Sequence, residues 1–392
     1  MNRIYLSSPH MGGQEIDFVN EAFETNWIAP LGKNVNGFEE DLQKYTGRKH
    51  AAVVTTGTAA IHLGLILCGV KPGDEVICQS FTFAATANPI KYQEAQPVFI
   101  DSEPETWNMD PVLLEKALRE RRDKIKAIVV VHLYGMPAKM ESILSIAEKY
   151  GVPVIEDSAE ALGSSIDGRK CGTFGKISVL SFNGNKIITT SGGGALLSDD
   201  EEIVQKARFL STQARDDAPH YQHSELGYNY RMSNIVAGIG RGQMKVLDER
   251  VAARRANHQF YFENLKGAWY KGNGKDFSDN DEMKSGSGIY FLQEPDGYKS
   301  NRWLTTILVN PDETDGITRE HLRQALEKQN IESRPLWKPM HLQPLYGKSP
   351  VYKNGVSEFL FEYGLCLPSG SNLSDEERWR VLNAIKEVLG NS

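Results

Sequence analysis

Cysteine is scarce in this 392-residue sequence, and the four present (Cys68, Cys78, Cys171, Cys366) form no C-x-x-C pair. That spacing argues against a zinc ribbon or a dithiol redox motif and points to reduced core thiols. No apolar run approaches the ~18 residues that cross a bilayer. The opening residues, MNRIYLSSPHMGG, hold no apolar signal core, so a cytoplasmic protein is expected. A basic excess is missing too. Lys and Arg number 44 against 51 Asp and Glu, a net charge of −7, which argues against nucleic acid as a partner. It still leaves room for a phosphorylated ligand in a local positive pocket. No G-x-G-x-x-G is found, so a dinucleotide site is poorly supported. There is no internal repeat.

What the sequence does contain is alternation. Short β-rich runs at His50–Thr56, Asp74–Ser80, Pro97–Asp101, Lys126–Tyr134 and Val152–Asp157 are separated by helical patterns such as Thr58–Cys68. These runs are continuously apolar, as in a sheet covered on both faces. Asp110-Pro111 reads as an N-cap with proline at the first helical position. The repeated strand–helix–strand order predicts a mainly parallel sheet in an α/β domain. After Gly194 the pattern loosens. Ser233–Leu265 reads as one long helix or two with a break, and Lys271–Gly288 as a mobile polar loop. Beyond it a smaller α+β unit is expected: a strand at Trp303–Val309, a helix near Thr318–Gln329, a strand at Ile331–Leu336, and a last helix capped by Ser374 with Glu377.

Three stretches could carry chemistry. Thr55-Thr-Gly-Thr-Ala-Ala60 joins a strand to a helix through a glycine and three hydroxyls. A helix N-terminus offers free N–H donors, so the turn suits a phosphate, although a plain strand–helix turn would read the same. Glu156-Asp157 ends an apolar strand, where open α/β sheets bind ligands. Asp157 could cap a helix, ligate a metal or face a cationic ring, and no His or Cys cluster supports the metal. Glu160 falls one short step later and would face the same site. Lys186, in Ser181-Phe-Asn-Gly-Asn-Lys186, lies among small polar residues before Gly192-Gly-Gly194. It is either a surface lysine in a glycine-rich turn or an amine that does covalent work. Its rivals Lys170 and Lys176 sit by a stretch that reads as a solvated turn. A phosphate cradle, a strand-end Asp and a later lysine are together what pyridoxal phosphate requires: phosphate anchored, ring nitrogen protonated, aldehyde held by an amine. Phe83 could lie on the ring face or simply belong to the core.

The motifs in order are Asn26-Trp-Ile-Ala-Pro-Leu-Gly32, Thr56-Gly-Thr-Ala-Ala-Ile-His-Leu63, Ser80-Phe-Thr-Phe83, Glu156-Asp-Ser-Ala-Glu160, Ser181-Phe-Asn-Gly-Asn-Lys186 and Gly227-Tyr-Asn-Tyr-Arg-Met232. With them the chain resembles, nearly end to end, the sugar aminotransferases of the DegT/DnrJ/EryC1/StrS group. The resemblance implies the α/β fold of fold-type I pyridoxal-phosphate enzymes: a mainly parallel mixed sheet flanked by helices in residues 1–250, and a smaller α+β domain in 251–392. It implies Lys186 as the cofactor-bound lysine, Asp157 as partner of the ring nitrogen, Phe83 as the stacking residue, and Gly57, Thr58 and Ser181 as phosphate binders. Glu160 matches a position near the cofactor hydroxyl. Asn229 resembles a residue reaching the phosphate from a second subunit, with Arg231 close by, so a homodimer with shared sites is expected.

Within the group the likeness is strongest to enzymes that aminate C4 of UDP-4-keto-6-deoxy-N-acetylglucosamine, on the route to bacillosamine-type sugars. It is carried by Ser7–Gly13, Asn183–Gly194, Ser211–Arg215, Ser300–Trp303 and Arg334–Lys338. L-glutamate is the implied donor. Arg231, the loop near His10, and the run Trp337–His341, with His341 at its end, are candidate contacts for donor or nucleotide, although Trp337–His341 reads equally as domain packing. Rival readings are the same chemistry on a GDP- or dTDP-linked keto sugar, another sugar-modifying reaction such as dehydration, and a non-catalytic sensor of cofactor or nucleotide sugar. Lys186 weighs against dehydration, because the dehydrating members of the group carry histidine there.

Overall fold

The computed structural model describes residues 2–277 and 287–390. Its centre is an eight-stranded sheet in the order His50–Val54, Gly194–Ser198, Ile177–Ser181, Val154–Asp157, Ile125–Val131, Glu75–Gln79, Gln96–Ile100, Val351–Tyr352. Only Gly194–Ser198 runs antiparallel to its neighbours; the other pairings are parallel. The sheet is therefore mainly parallel and mixed, as expected. Its strands are apolar throughout because helices cover both faces. Gly57–Leu67, apolar on nearly every side, is buried along most of its length between the sheet and its neighbouring helices. Thr56 caps it by accepting the N–H of Ala59 at 2.9 Å. Asp110 caps Pro111–Arg121 by accepting the N–H groups of Val112 and Leu113.

A second, five-stranded sheet is built from Ala268–Tyr270, Ile289–Leu292, Thr305–Val309, Gly364–Leu367 and Arg334–Pro335. It packs against Leu247–Asn264, Arg319–Lys328 and Asp375–Val388 through a core that includes Tyr261, Ile307, Leu326 and Ile385. Ser374 and Glu377 form the expected capping box. All four cysteines are free, three of them buried.

Several boundaries differ from expectation for physical reasons. The run expected as a strand to Tyr134 ends at Val131, because Leu133–Gly135 turns and Tyr134 takes a left-handed backbone, φ 54° and ψ 18°. Ser233–Leu265, by contrast, takes the second of its two expected forms, a pair of helices, Asn234–Met244 and Leu247–Asn264. The strand expected over Ile331–Leu336 shrinks to Arg334–Pro335, since proline has no N–H to extend the ladder. Lys170 is half-buried in a short hairpin, its Nζ 3.3 Å from the centre of the Tyr45 ring, rather than in a solvated turn. Of the loop expected at Lys271–Gly288, residues 278–286 lie outside the described residues.

Candidate active site

The parallel strands all deliver their carboxyl ends to one edge of the large sheet, and a cavity of about 280 Å³ opens there. Its lining brings together Gly57, Thr58, Phe83, Asp157, Glu160, Ser181 and Lys186, seven residues expected from the sequence. It is close in size to a small-ligand site, for which roughly 300–1,000 Å³ is typical.

At one end, the helix beginning at Gly57 points its first turn into the cavity. The N–H groups of Gly57 and Thr58 and the hydroxyls of Thr58 and Ser181 take no partner among the described residues. This is the donor set an anion needs. Glycine is required for the close approach: a Cβ at Gly57 would come within 3.0 Å of Ser181 Cβ.

At the other end, Asp157 is 4% exposed. Its Oδ2 accepts the Thr86 hydroxyl at 2.8 Å, and Oδ1 accepts the N–H of Ala159 at 3.1 Å. Since Thr86 gives its proton to Asp157, it accepts the Thr82 hydroxyl, 2.9 Å away. Burial pushes the Asp157 carboxyl above its ordinary range; Thr86, Ala159 and the charge of Lys186 oppose this without cancelling it. A buried carboxylate with two neutral donors and no cation in contact is suited to a cationic N–H.

Lys186 lines the same cavity, its side chain 11% exposed. Nζ is 3.3 Å from Glu160 Oε1 and 4.1 Å from the centre of the Trp303 ring. Burial raises the Glu160 carboxyl against the pull of Lys186 and of the Tyr134 N–H, which donates to Oε2 at 2.8 Å. Phe83 is half-exposed at the mouth, ring centre 5.3 Å from that of Trp337. It is therefore not a core residue. An anion cradle, a carboxylate for a cationic ring, an apolar lid and an amine fit pyridoxal phosphate.

The other expected contacts lie outside this cavity. His10 bonds Ser371 Oγ through Nδ1 at 3.1 Å. His341 sits between Ser80 Oγ, 2.7 Å away, and Glu358 Oε1, 3.1 Å away. Arg231 pairs through its backbone with Val54, and Asn229 is exposed and bridges to Thr212. Trp337, the first residue of the candidate run Trp337–His341, does line the cavity, and so do Thr86 and Trp303, to which the sequence assigns no role. Trp303 and Trp337 fall in the quoted stretches Ser300–Trp303 and Arg334–Lys338, the signals the sequence offers.

Behind Asp157 the side chains of His132, Glu156 and Cys171 converge within 4.8 Å. Glu156 accepts from His132, Ser158, Ser178, Gly172, Phe174 and Gly175, so its lone pairs are spent on fixing the 172–175 loop. Burial would raise this carboxyl, but His132 and the loop N–H groups prevail and hold it down to about 2.

The chain is similar to known proteins over nearly its whole length. Residues 9–386 match the DegT/DnrJ/EryC1/StrS aminotransferase family. EpsN of Bacillus subtilis (strain 168), named as a candidate pyridoxal phosphate-dependent aminotransferase, is 52% identical, covering 99% of this chain and 96% of its own. A GDP-perosamine synthase of Caulobacter vibrioides is 36% identical over 99% of this chain and 98% of its own. Among solved structures, the PLP form of Spr1654, a candidate sugar aminotransferase from Streptococcus pneumoniae, superposes with a TM-score of 0.87 at 26% identity, covering 99% of each chain.

Proposed function

The chain belongs to the DegT/DnrJ/EryC1/StrS family of pyridoxal-phosphate-dependent sugar aminotransferases, and from that premise we propose that it moves the amino group of L-glutamate to C4 of a UDP-4-keto-6-deoxy-N-acetylhexosamine, giving a UDP-4-amino-4,6-dideoxy sugar. The observation that carries the site reading is that one cavity joins Lys186, Asp157 and the open donors of Gly57, Thr58 and Ser181.

When bound, pyridoxal phosphate supplies a carbonyl that exchanges amino groups and a protonated ring that takes up an electron pair. Gly57, Thr58 and Ser181 bind its phosphate. Asp157, oriented by Thr86, keeps a proton on the ring nitrogen. Phe83 covers one face and excludes water. Lys186 Nζ anchors the aldehyde at rest. Once free, it would move the α-proton of L-glutamate to C4′ of the cofactor and, in the second half-reaction, would move a proton from C4′ to C4 of the sugar. Glu160 orients Nζ.

The UDP and C4 reading rests on the stretches Ser7–Gly13, Asn183–Gly194, Ser211–Arg215, Ser300–Trp303 and Arg334–Lys338. A second reading, GDP-4-keto-6-deoxymannose giving perosamine, is favoured by the similarity to GDP-perosamine synthases. We take residues 1–250 as the cofactor-binding domain, with Trp303 and Trp337 of 251–392 reaching its cavity. We also propose a homodimer in which Asn229 and Arg231 serve the partner's site. Supporting this are the exposure of Asn229 and the exposed apolar side chains Ile16, Phe23, Trp27, Ile28 and Leu31. No helix among the described residues is long and apolar enough to cross a membrane, and we place the enzyme in the cytoplasm with its substrate.

The test is release of 2-oxoglutarate from L-glutamate across a panel of UDP-, GDP- and dTDP-linked keto sugars. The expected result is preference for the UDP-4-keto N-acetylhexosamine. Preference for the GDP sugar establishes the second reading. A yellow protein that glutamate does not bleach and that turns over no sugar supports a sensor.

A further inference from the structure

The indole of Trp303 is fixed to the same peptide that carries Lys186. Its Nε1–H donates to the carbonyl of Asn185 at 2.7 Å. Its own carbonyl accepts Arg254 Nη1 at 2.6 Å, while Arg254 Nη2 reaches Ser7 Oγ at 3.0 Å and the Lys186 carbonyl at 3.4 Å. Ser7 Oγ closes the ring by donating to Asn185 O at 2.7 Å. Tyr134 backs the indole, the rings 14° from parallel with centres 6.4 Å apart. Trp303 is 1% exposed and cannot tilt without breaking this frame. Against its face, 4.1 Å from the ring centre, lies Nζ of Lys186. Among the described residues it is the one lysine found over a tryptophan.

We propose that the face of Trp303 is the resting place of the Lys186 ammonium, making Trp303 a positioning residue that holds the amine, beside Glu160, whenever it is not bonded to cofactor. An aromatic face attracts a cation most strongly where water is excluded, yet accepts no strong directional hydrogen bond. A lysine parked there spends one N–H on Glu160 Oε1 and meets only the ring face with the rest. It is also kept from pairing with Asp157, whose carboxylate the cofactor ring needs.

This rests on the assignment of Lys186 as the cofactor-bound lysine, and the two are tested separately. Borohydride reduction of the pyridoxal-phosphate-loaded chain, followed by mass spectrometry, must leave cofactor on Lys186; if it does not, the assignment fails. For Trp303, the full chain is produced with ordinary, 5-fluoro- and 5,7-difluorotryptophan and loaded with pyridoxamine phosphate, which leaves the lysine amine free. Fluorine drains the ring face with little change of shape, so access to Lys186 stays the same. Reductive methylation of Lys186 is then timed, with exposed Lys338 as internal control. The expected result is a stepwise increase in Lys186 labelling, roughly 2- to 30-fold across the series, and no effect of fluorination in a W303F chain, which removes any contribution of the other five tryptophans. Equal labelling across the series, or the same trend in W303F, overturns the proposal.

Discussion

The main-chain N–H of Tyr134 donates to Glu160 Oε2 over 2.8 Å, from a left-handed backbone at φ 54°. A tyrosine held there costs roughly 1–3 kcal/mol. The residue is held by near-parallel packing with Trp303 and Trp337, both within 14° of parallel, and by the N–H of Trp337 donating to its hydroxyl at 2.8 Å. The strain is thus offset by an aromatic stack, and its result is one oriented carboxylate beside Lys186.

If that is what the conformation is for, removing the acceptor must be felt. Glu160→Ala leaves the buried Tyr134 N–H without a partner and should cost about 1–3 kcal/mol in urea unfolding. Glu160→Gln keeps an oxygen for it and should stay much closer to the parent. Equal stability of the two variants would show that the bond contributes nothing.

Lys186→Ala should abolish transamination of every keto sugar and remove the absorbance band of covalently held cofactor. Cofactor should still bind, more weakly, because the phosphate donors of Gly57, Thr58 and Ser181 are untouched. Absorbance spectra of the dialysed variant, together with a 2-oxoglutarate assay, check both halves of this statement. A full rate with an unchanged spectrum would refute the role.

Asp157 and Thr86 make a graded pair. Asp157→Asn removes the charge and should lower the rate by roughly 10²–10⁴-fold, against almost nothing if the residue only caps a turn. Thr86→Val removes one donor and keeps the carboxylate. Burial already raises the Asp157 carboxyl, and the Thr86 hydroxyl pulls it down. Without that hydroxyl it rises further, so less of it is ionised at a given acid pH. The acid limb of cofactor affinity should therefore move to higher pH in Thr86→Val, measured by titrating the chain with pyridoxal phosphate across the acid range. A limb that stays in place would exclude Asp157 as the group responsible.

How far this site could be read from the sequence follows distance along the chain. Thr56-Gly-Thr58, Asp157 and Lys186 each announce themselves locally, as a helix start, a strand end, and a charge among small residues. Thr86 and Trp303 do not, and Trp337 shows only within a run that reads equally as domain packing. They are brought to the cavity by the closing of elements distant in sequence, and a tryptophan amid apolar residues reads the same whether it packs a core or lines a site. Tyr134 is hidden for another reason. The run Ile128–Tyr134 carries one polar residue, His132, and resumes with Leu133 and Tyr134, so the strand pattern continues where the backbone turns. The pattern over Ser233–Leu265 fits one helix or two with a break, and nothing in it locates the break near Lys245–Val246.

Glu156 makes a prediction about stability rather than rate. Its carboxyl sits at about 2 in the folded chain against an ordinary 4.5. A depressed carboxyl contributes stability above its unfolded value, and that contribution is lost as pH falls from 4.5 towards 2. The shift corresponds to about 3 kcal/mol. Glu156→Gln should lower stability at neutral pH and flatten the acid arm of the stability–pH curve in that window, followed by urea unfolding at stepped pH. An unchanged arm would place the acid sensitivity elsewhere.

The last prediction concerns the contact between Gly57 and Ser181. A Cβ at Gly57 would meet Ser181 Cβ at 3.0 Å, a few tenths of an ångström too close, at the turn whose N–H groups face the cavity. Gly57→Ala should therefore shift those donors and weaken cofactor binding by about tenfold, some 1.4 kcal/mol, with little change in thermal stability because the cavity side can give. Ser181→Gly should also weaken binding, by losing a hydroxyl. If the alanine acts through this contact, the two effects must fall short of additive, because with glycine at 181 the added methyl has room. A double-mutant cycle on the Kd of pyridoxal phosphate measures the shortfall. Strict additivity would mean that the alanine acts through the helix start alone, and that the closeness of these two residues is incidental to binding.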